Sequence, residues 1–204
     1  MSTTTKDTTV VIVGGGVAGL ALGTFLLRRG IGCVVLEKHS REHVEQRQRA
    51  GSLDAGGVRR LRKWGLAEVV EGLDHGDSEE AMPLLIEGEE RRWRTGGDGW
   101  GDDGAGGDEA AGGDDGVFCP QQVLVRNLIS VFLRDGGDLR FGAEDVSLHD
   151  VGTGNPLVRY RRADGATTTL SCDLVAGCDG YHGVSRTAVP DDVLTCSTHE
   201  FGYA

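Results

Sequence analysis

Short apolar runs alternate with helical and glycine-rich stretches along this chain. Residues 8–13 are mostly β-branched, and residues 33–36 form a second short apolar run. Uninterrupted apolar runs of this length are typical of strands buried in a parallel sheet. The residues between them predict a helix over 17–29 that ends at Gly30. The chain is therefore predicted to begin with a strand, a helix and a second strand.

The remainder of the chain predicts further helices and shorter strands. Apolar side chains recur at every fourth position over 121–134, which predicts an amphipathic helix. Asp164-Gly165 favours a tight turn and predicts a hairpin of strands over 157–162 and 167–172. The other predicted elements are a helix over 54–64, a helical turn over 66–72, two strands within 82–93, strands over 139–141 and 174–180, and a helix that begins near Gly183. This order predicts an α/β fold, with a Rossmann-like βαβ start and an added small antiparallel sheet.

The turn after the first strand carries the first indication of chemistry. Gly14, Gly16 and Gly19 fit the pattern G-x-G-x-x-G between a predicted strand and a predicted helix. The first glycine permits the turn, the second lets the backbone approach a phosphate, and the third lets the helix pack closely on the strand. Glu37 follows the second apolar run, near the offset at which an acid binds ribose hydroxyls. Together these residues predict a dinucleotide site.

The charge of the chain changes the picture in one segment. The net charge is −11, which argues against nucleic acid as a partner. Residues 96–116 contain seven acidic residues, no basic one and many glycines. A segment with so few apolar side chains cannot build a core, so it is predicted to be a disordered loop.

Targeting signals and metal-binding patterns are not found in the sequence. No apolar run is long enough to cross a membrane, and residues 1–9 lack the apolar core of a signal peptide, so a cytoplasmic protein is expected. The five cysteines are scattered and include no C-x-x-C pair. This spacing favours buried free thiols over disulfides or a metal site.

A second glycine-containing segment narrows the ligand class. Asp179-Gly180, followed by Tyr-His-Gly-Val-Ser-Arg, resembles the Asp-Gly motif of the class A flavoprotein aromatic hydroxylases, above all the members that hydroxylate 4-hydroxybenzoate. Three further segments are similar to that family in order and spacing: Arg47-Gln-Arg-Ala-Gly-Ser-Leu53, Gln121 ahead of Arg126 and Leu128, and Glu200-Phe-Gly202. Glu200 stands where the family has proline. The resemblance extends over nearly the whole chain apart from the acidic loop.

The resemblance implies FAD as the cofactor and NADH or NADPH as the co-substrate. The residues that it implies for cofactor binding are Gly14, Gly16, Ala18, Gly19, Glu37, Arg47, Arg49, Gln121, Asp179 and Gly180. Residues 38–44 resemble the segment that chooses between NADPH and NADH. Its basic side chains suit the 2′-phosphate of NADPH, but Glu42 and Glu45 oppose it. NADH, or mixed use of both nucleotides, is therefore expected. No catalytic residue is identified, and His75 is interpreted as a surface loop residue.

The implied activity is the hydroxylation of a phenolic acid such as 4-hydroxybenzoate with NAD(P)H and oxygen. The family's third motif and its ring-binding residues lie downstream of Ala204, so we expect residues 1–190 to be an FAD-binding domain and residues 191–204 to begin a truncated substrate domain. The chain alone is then not expected to be active. A non-catalytic nucleotide-binding module or inactive remnant is the main alternative, and an NAD-dependent dehydrogenase is disfavoured by the Asp-Gly motif. A homodimer is left open.

Overall fold

The computed structural model describes residues 6–47, 51–71, 73, 82–86, 89–93, 117–190, 192–197 and 199. The chain divides into two compact units, residues 1–46 together with 128–204, and residues 47–127. Several predictions fall outside the described residues: those for Arg49, His75, the acidic loop over 96–116 and Glu200-Phe-Gly202.

The elements follow one another in an order close to the predicted one. The strands are β1 (Val10–Val13), β2 (Cys33–Glu37), β3 (Ser52–Leu53), β4 (Met82–Ile86), β5 (Glu89–Trp93), β6 (Val117–Phe118), β7 (Asp138–Phe141), β8 (Glu144–His149), β9 (Leu157–Arg161), β10 (Thr167–Ser171) and β11 (Leu174–Gly177). The helices are α1 (Val17–Leu27), α2 (Arg41–Gln46), α3 (Ala55–Lys63), α4 (Gln121–Arg134) and α5 (Val184–Thr187), with a short 3₁₀ turn at Ala67–Val69.

A four-stranded parallel sheet lies at the centre of the first unit, in the order β11-β1-β2-β7. Every residue of β1 and β2 is buried, as inner strands of a parallel sheet require. Val13 at the end of β1 lies between Leu36 of β2 and Gly177 of β11. The predicted Rossmann-like α/β fold is confirmed, and the carboxyl ends of β1 and β11 lie side by side.

Different elements pack on the two faces of this sheet. On one face, a Cβ on Gly23 of α1 would lie 3.0 Å from the Phe132 ring of α4 and 3.1 Å from Val35 of β2, so a larger residue would push these elements apart. On the other face, the antiparallel sheet β10-β9-β8 buries a shared apolar cluster that includes Tyr160 and Leu170. The inner strands β1 and β2 of the parallel sheet are therefore covered on both faces.

The second unit contains short elements with clear local causes. The Asp54 carboxylate accepts a hydrogen bond from the Gly57 N–H (2.5 Å) and so caps α3. Val58 and Leu61 form the buried side of this helix. Strand β3 pairs with β6, and β4 pairs with β5, both antiparallel. The two strands predicted within 82–93 are confirmed.

Four elements were not predicted: α2, β3, β6 and β8. Helix α2 contains no buried residue, so it has no apolar periodicity to reveal it. Strands β3 and β6 have two residues each. Strand β8 pairs with β9 and so extends the predicted hairpin to a three-stranded sheet. A register irregularity between Glu144 and Ser147 interrupts this pairing.

The prediction about cysteines is correct for three of the five. Cys33, Cys119 and Cys172 are buried free thiols, whereas Cys178 is half-buried and Cys196 is exposed. Burial raises the pKa of the Cys33, Cys119 and Cys172 thiols. Over the described ranges there is no group of side chains suited to hold a metal ion, and no helix with the length and apolar character needed to cross a membrane.

Asp7 fastens the start of the chain to the end of β10. Its carboxylate accepts hydrogen bonds from the N–H (2.8 Å) and the hydroxyl (2.7 Å) of Ser171. The hydrogen bond from the Ser171 N–H is the main reason that the pKa of Asp7 is lowered from its usual value of 3.8. A lowered folded-state pKa means that the ionised carboxylate stabilises the fold above the unfolded pKa and loses this effect as pH falls.

We expect Asp7→Asn to lower the free energy of unfolding at neutral pH by at most about 1 kcal/mol, because solvent screens this exposed carboxylate. The difference between wild type and variant should vanish as pH falls below the lowered pKa of Asp7. Urea unfolding at a series of pH values measures it, with the exposed Glu71→Gln as a control. A difference that grew on acidification would contradict the assignment.

Candidate nucleotide-binding site

Two loops meet at the carboxyl end of the parallel sheet. The glycine turn (residues 14–16) follows β1, and the Asp-Gly corner (residues 178–183) follows β11. The Gly14 N–H donates to the Leu36 carbonyl (2.8 Å), and the Cys178 N–H donates to the Val13 carbonyl (2.7 Å). Open α/β sheets bind ligands outside the carboxyl ends of their strands. The backbone therefore brings both predicted motifs to the edge where a ligand is expected.

Two of the motif glycines are required by the packing of the protein itself. Gly14 has a φ of +108°, which favours glycine, and a Cβ there would overlap the main-chain carbonyl of Cys178. A Cβ on Gly19 would overlap the carbonyl oxygen of Gly14. These two glycines allow the glycine turn, α1 and the Asp-Gly corner to approach one another at main-chain distance.

Gly16 is different because no described residue fills the space beside it. Its φ of −80° and ψ of −170° suit any residue, and a Cβ there would meet no atom of the described residues within 4 Å. Gly16 is the N-cap of α1, and the first turn of this helix contains no acidic residue. Ala18 is exposed at the same end of α1. The uncrowded helix N-terminus suits a pyrophosphate, which its amides can bind.

Glu37 is buried beside the glycine turn, with 8% of its surface exposed. Its Oε2 accepts a hydrogen bond from the Gly15 N–H and its Oε1 accepts one from the His39 N–H, both at 2.9 Å. A carboxylate has about four lone-pair positions, and hydrogen bonds from the described residues occupy two of them, which leaves acceptor capacity that ribose hydroxyls could use. Glu37, the predicted ribose-binding acid, thus lies next to the glycine turn. It also holds the main chain at Gly15 and at His39.

Asp179 has a structural task in the Asp-Gly corner. Its Oδ2 accepts a hydrogen bond from the Ser185 N–H (3.0 Å), in the first turn of α5, whose N-cap is Gly183. A Cβ on Gly183 would overlap the Asp179 carboxyl group, and Gly180 has a φ of +79°. Burial and the charge of Asp179 together raise the pKa of the neighbouring Cys178 thiol. The cofactor role of Asp179 and Gly180 stays a prediction.

The Ser185 hydroxyl is a feature that sequence reasoning missed. Its Oγ is buried and has no hydrogen-bond partner within the described part of the chain. It lies beside the end of β11 and near Asp179, since a Cβ on Gly177 would be 2.9 Å from the Ser185 Oγ and 3.8 Å from the Asp179 Oδ1. A buried hydroxyl without a partner is unfavourable, so a water or a bound group is expected to complete it.

Arg47 and Gln121 belong to the second unit, and Arg49 lies outside the described residues. Arg47 is exposed, and Gln121 is the half-buried first residue of α4. Within this unit the Cys119 N–H donates to the Gly51 carbonyl (3.2 Å), and a Cβ on Gly51 would lie 3.0 Å from the amide nitrogen of Gln121. The end of the Arg-x-Arg-Ala-Gly segment therefore lies beside the start of α4. Cofactor binding by these three residues stays a prediction.

The segment predicted to choose the pyridine nucleotide contains the unpredicted helix α2. The Ser40 hydroxyl accepts a hydrogen bond from the His43 N–H (3.2 Å), and the Arg41 side chain pairs with Glu45 (2.6 Å). The His39 and His43 rings stack with centroids 4.2 Å apart. Ser40 as an N-cap, followed by side-chain pairs four residues apart, is the signal that could have revealed this helix.

Comparison with known families supports the ligand class that the glycine turn and the Asp-Gly corner predict. Residues 7–202 match the family described as FAD binding domain. The chain belongs to this FAD-binding domain family. FAD is therefore its cofactor, and the open space at Gly16 and the remaining acceptor capacity of Glu37 fit a dinucleotide of this kind.

Relatives of this FAD-binding domain include aromatic hydroxylases. It is 31% identical over 192 residues to p-hydroxybenzoate hydroxylase of Acinetobacter baylyi, covering 93% of this chain and 43% of the relative. It is 30% identical over 182 residues to 4-methyl-5-nitrocatechol 5-monooxygenase of a Burkholderia species, covering 87% of this chain and 32% of the relative. The chain thus spans less than half the length of these relatives.

A solved structure shares the same architecture. The crystal structure of the flavin-dependent monooxygenase PieE in complex with FAD and substrate superposes with a TM-score of 0.69 at 25% identity, covering 90% of this chain and 32% of that one. The resemblance to flavin-dependent aromatic hydroxylases is confirmed at the level of the family.

Substitutions at Gly14 and Gly16 should separate folding from cofactor binding. We expect Gly16→Ala to cost about 0.5 kcal/mol of stability, as an alanine N-cap does, while FAD affinity falls at least about tenfold because the methyl group occupies the phosphate space. Gly14→Ala should destabilise the fold by about 1–3 kcal/mol or more through its positive φ and main-chain overlap.

Thermal unfolding and FAD titration of both variants test this pair. A Gly16→Ala protein that binds FAD as tightly as wild type would contradict the placement of the pyrophosphate at this helix N-terminus.

Proposed function

We propose that this chain supplies the FAD-binding part of a cytoplasmic, NAD(P)H-dependent monooxygenase that hydroxylates a phenolic acid, with 4-hydroxybenzoate as the first substrate to test. The similarity to p-hydroxybenzoate hydroxylase along 93% of the chain carries this proposal. The second relative is named for a nitrocatechol, so the choice of phenol is part of what must be tested.

The proposed roles of the residues rest on the resemblance to the family, and for the glycine turn and Glu37 also on their positions. The glycine turn and the first turn of α1, including Gly16 and Ala18, would hold the pyrophosphate through main-chain amides. Glu37 would bind the adenosine ribose through its remaining lone pairs. We propose that three further residues also bind the cofactor, by donating hydrogen bonds to phosphate and ribityl oxygens: Arg47, Arg49 and Gln121. Asp179 and Gly180 would shape the Asp-Gly corner. Bound FAD supplies the oxidation–reduction chemistry, and these residues hold and orient it.

We propose NADH, or mixed use of NADH and NADPH, for the reduction of the cofactor. A 2′-phosphate requires unpaired positive charge. One candidate cation, Arg41, is paired with Glu45 at 2.6 Å. This pairing supports the proposal that the segment does not select NADPH, which carries the 2′-phosphate, over NADH. With the histidines counted as neutral, Lys38 supplies the remaining formal positive charge of this segment. We leave a homodimer as part of the proposal to be tested, and propose neither a membrane nor a nucleic-acid partner.

Direct titration distinguishes an FAD site from an NAD site. We expect the purified chain to quench flavin fluorescence with a dissociation constant weaker than about 1 μM, because part of the flavin environment is proposed to lie outside this chain. NAD⁺ should not displace FAD at similar concentrations. If NAD⁺ bound more tightly than FAD, a dehydrogenase would be the better assignment.

A turnover assay tests the division of labour between this chain and the rest of the proposed enzyme. With FAD added, we expect no increase in NADH consumption on addition of 4-hydroxybenzoate or a catechol, because the ring-binding residues are proposed to lie elsewhere. p-Hydroxybenzoate hydroxylase serves as the positive control. Stimulated consumption together with a hydroxylated product would contradict the proposal that the chain supplies only the cofactor-binding part.

A further inference from the structure

Glu37 makes contacts that a residue serving only a ribose would not need. Its two oxygens accept the N–H groups of Gly15, in the glycine turn, and of His39, at the start of the next segment, each at 2.9 Å. A Cβ on Gly15 would lie 2.8 Å from the Cβ of Glu37, so the glycine allows the acid to approach. One buried carboxylate thus joins two segments of main chain that lie on either side of it.

His39 links Glu37 to α2. Its carbonyl accepts a hydrogen bond from the Gly142 N–H (3.1 Å), and its ring stacks on His43 in the first turn of α2. Helix α2 has only six residues and none of them is buried. A helix this short is not stable by itself. Its position therefore depends on contacts at its N-terminal end, where His39 and Ser40 lie.

We infer that Glu37 is a positioning residue that couples the glycine turn to residues 38–46. Ordering of the turn by a bound pyrophosphate would steady Glu37, and Glu37 would in turn steady the His39 N–H and α2. This inference rests on the proposed function in one respect, namely that residues 38–44 meet the pyridine nucleotide. In that case, occupancy of the FAD site prepares the segment that receives the second nucleotide.

The chemistry of glutamine provides the test. A glutamine at position 37 keeps the length of the side chain but has one acceptor oxygen, and its amino group cannot accept from an N–H. Glu37→Gln should therefore leave one of the two main-chain groups without its acceptor. Glu42→Gln is the matched control, because it removes the same charge from an exposed position within α2.

Amide hydrogen exchange measured without cofactor gives the first readout. We expect residues 38–46 to exchange about tenfold faster in Glu37→Gln, in keeping with the loss of a hydrogen bond to a charged acceptor. Strands β9 and β10 should exchange as in wild type, and Glu42→Gln should leave the His39 region unchanged. Wild-type exchange over both the glycine turn and residues 38–46 in Glu37→Gln would overturn the inference.

Exchange in the wild-type chain with FAD gives a second readout that does not depend on the variant folding. FAD should protect residues 38–46 as well as the glycine turn, and Gly16→Ala should lose both effects together. Protection of the turn alone would overturn the coupling. If FAD did not bind at all, the proposed function would fail, while the cofactor-free comparison of Glu37→Gln with Glu42→Gln would still decide the positioning role.

Discussion

The fold of the first unit depends on how closely two main-chain turns approach each other. Gly14 leaves no room for a Cβ against the Cys178 carbonyl, and its own carbonyl leaves no room for a Cβ on Gly19. This proximity follows from the strand order, because β1 pairs with both β2 and β11. Three consequences share this origin: the direction of α1, the position of the Asp-Gly corner, and the open space in front of Gly16.

Glu37 and Asp179, the two acidic residues beside the carboxyl end of the sheet, are held by the main chain of the protein itself. Glu37 accepts two main-chain N–H groups, and Asp179 accepts the Ser185 N–H. Carboxylates fixed in this way lose little side-chain freedom when a ligand binds, which reduces the entropic cost of recognition. The same hydrogen bonds keep two negative charges near the glycine turn, and these charges oppose a bound anion. The groups that favour an anion there are the N-terminal amides of α1.

Much of this arrangement could be predicted because it has local causes. The glycine motif, the ends of α4 and the Asp-Gly turn between β9 and β10 are each set by residue types that the backbone requires there. The unpredicted parts depend on contacts between distant residues or on polar side chains. Helix α2 lacks apolar periodicity, and the hydrogen bond from the Gly15 N–H to Glu37 joins residues that are 22 positions apart in sequence. The sequence does not reveal that Asp179 accepts a hydrogen bond from the first turn of α5, since no local pattern separates such an acid from a ligand-binding one.

The pairing of β1 with β11 has a consequence for the order of assembly. Val10 pairs with Leu174, which lies 164 positions later in the sequence, so the inner strand β1 gains its neighbour β11 only after those residues have been made. Contacts this distant in sequence form slowly, since a long loop must close before they stabilise anything. The glycine turn is therefore synthesised long before the Asp-Gly corner against which Gly14 packs.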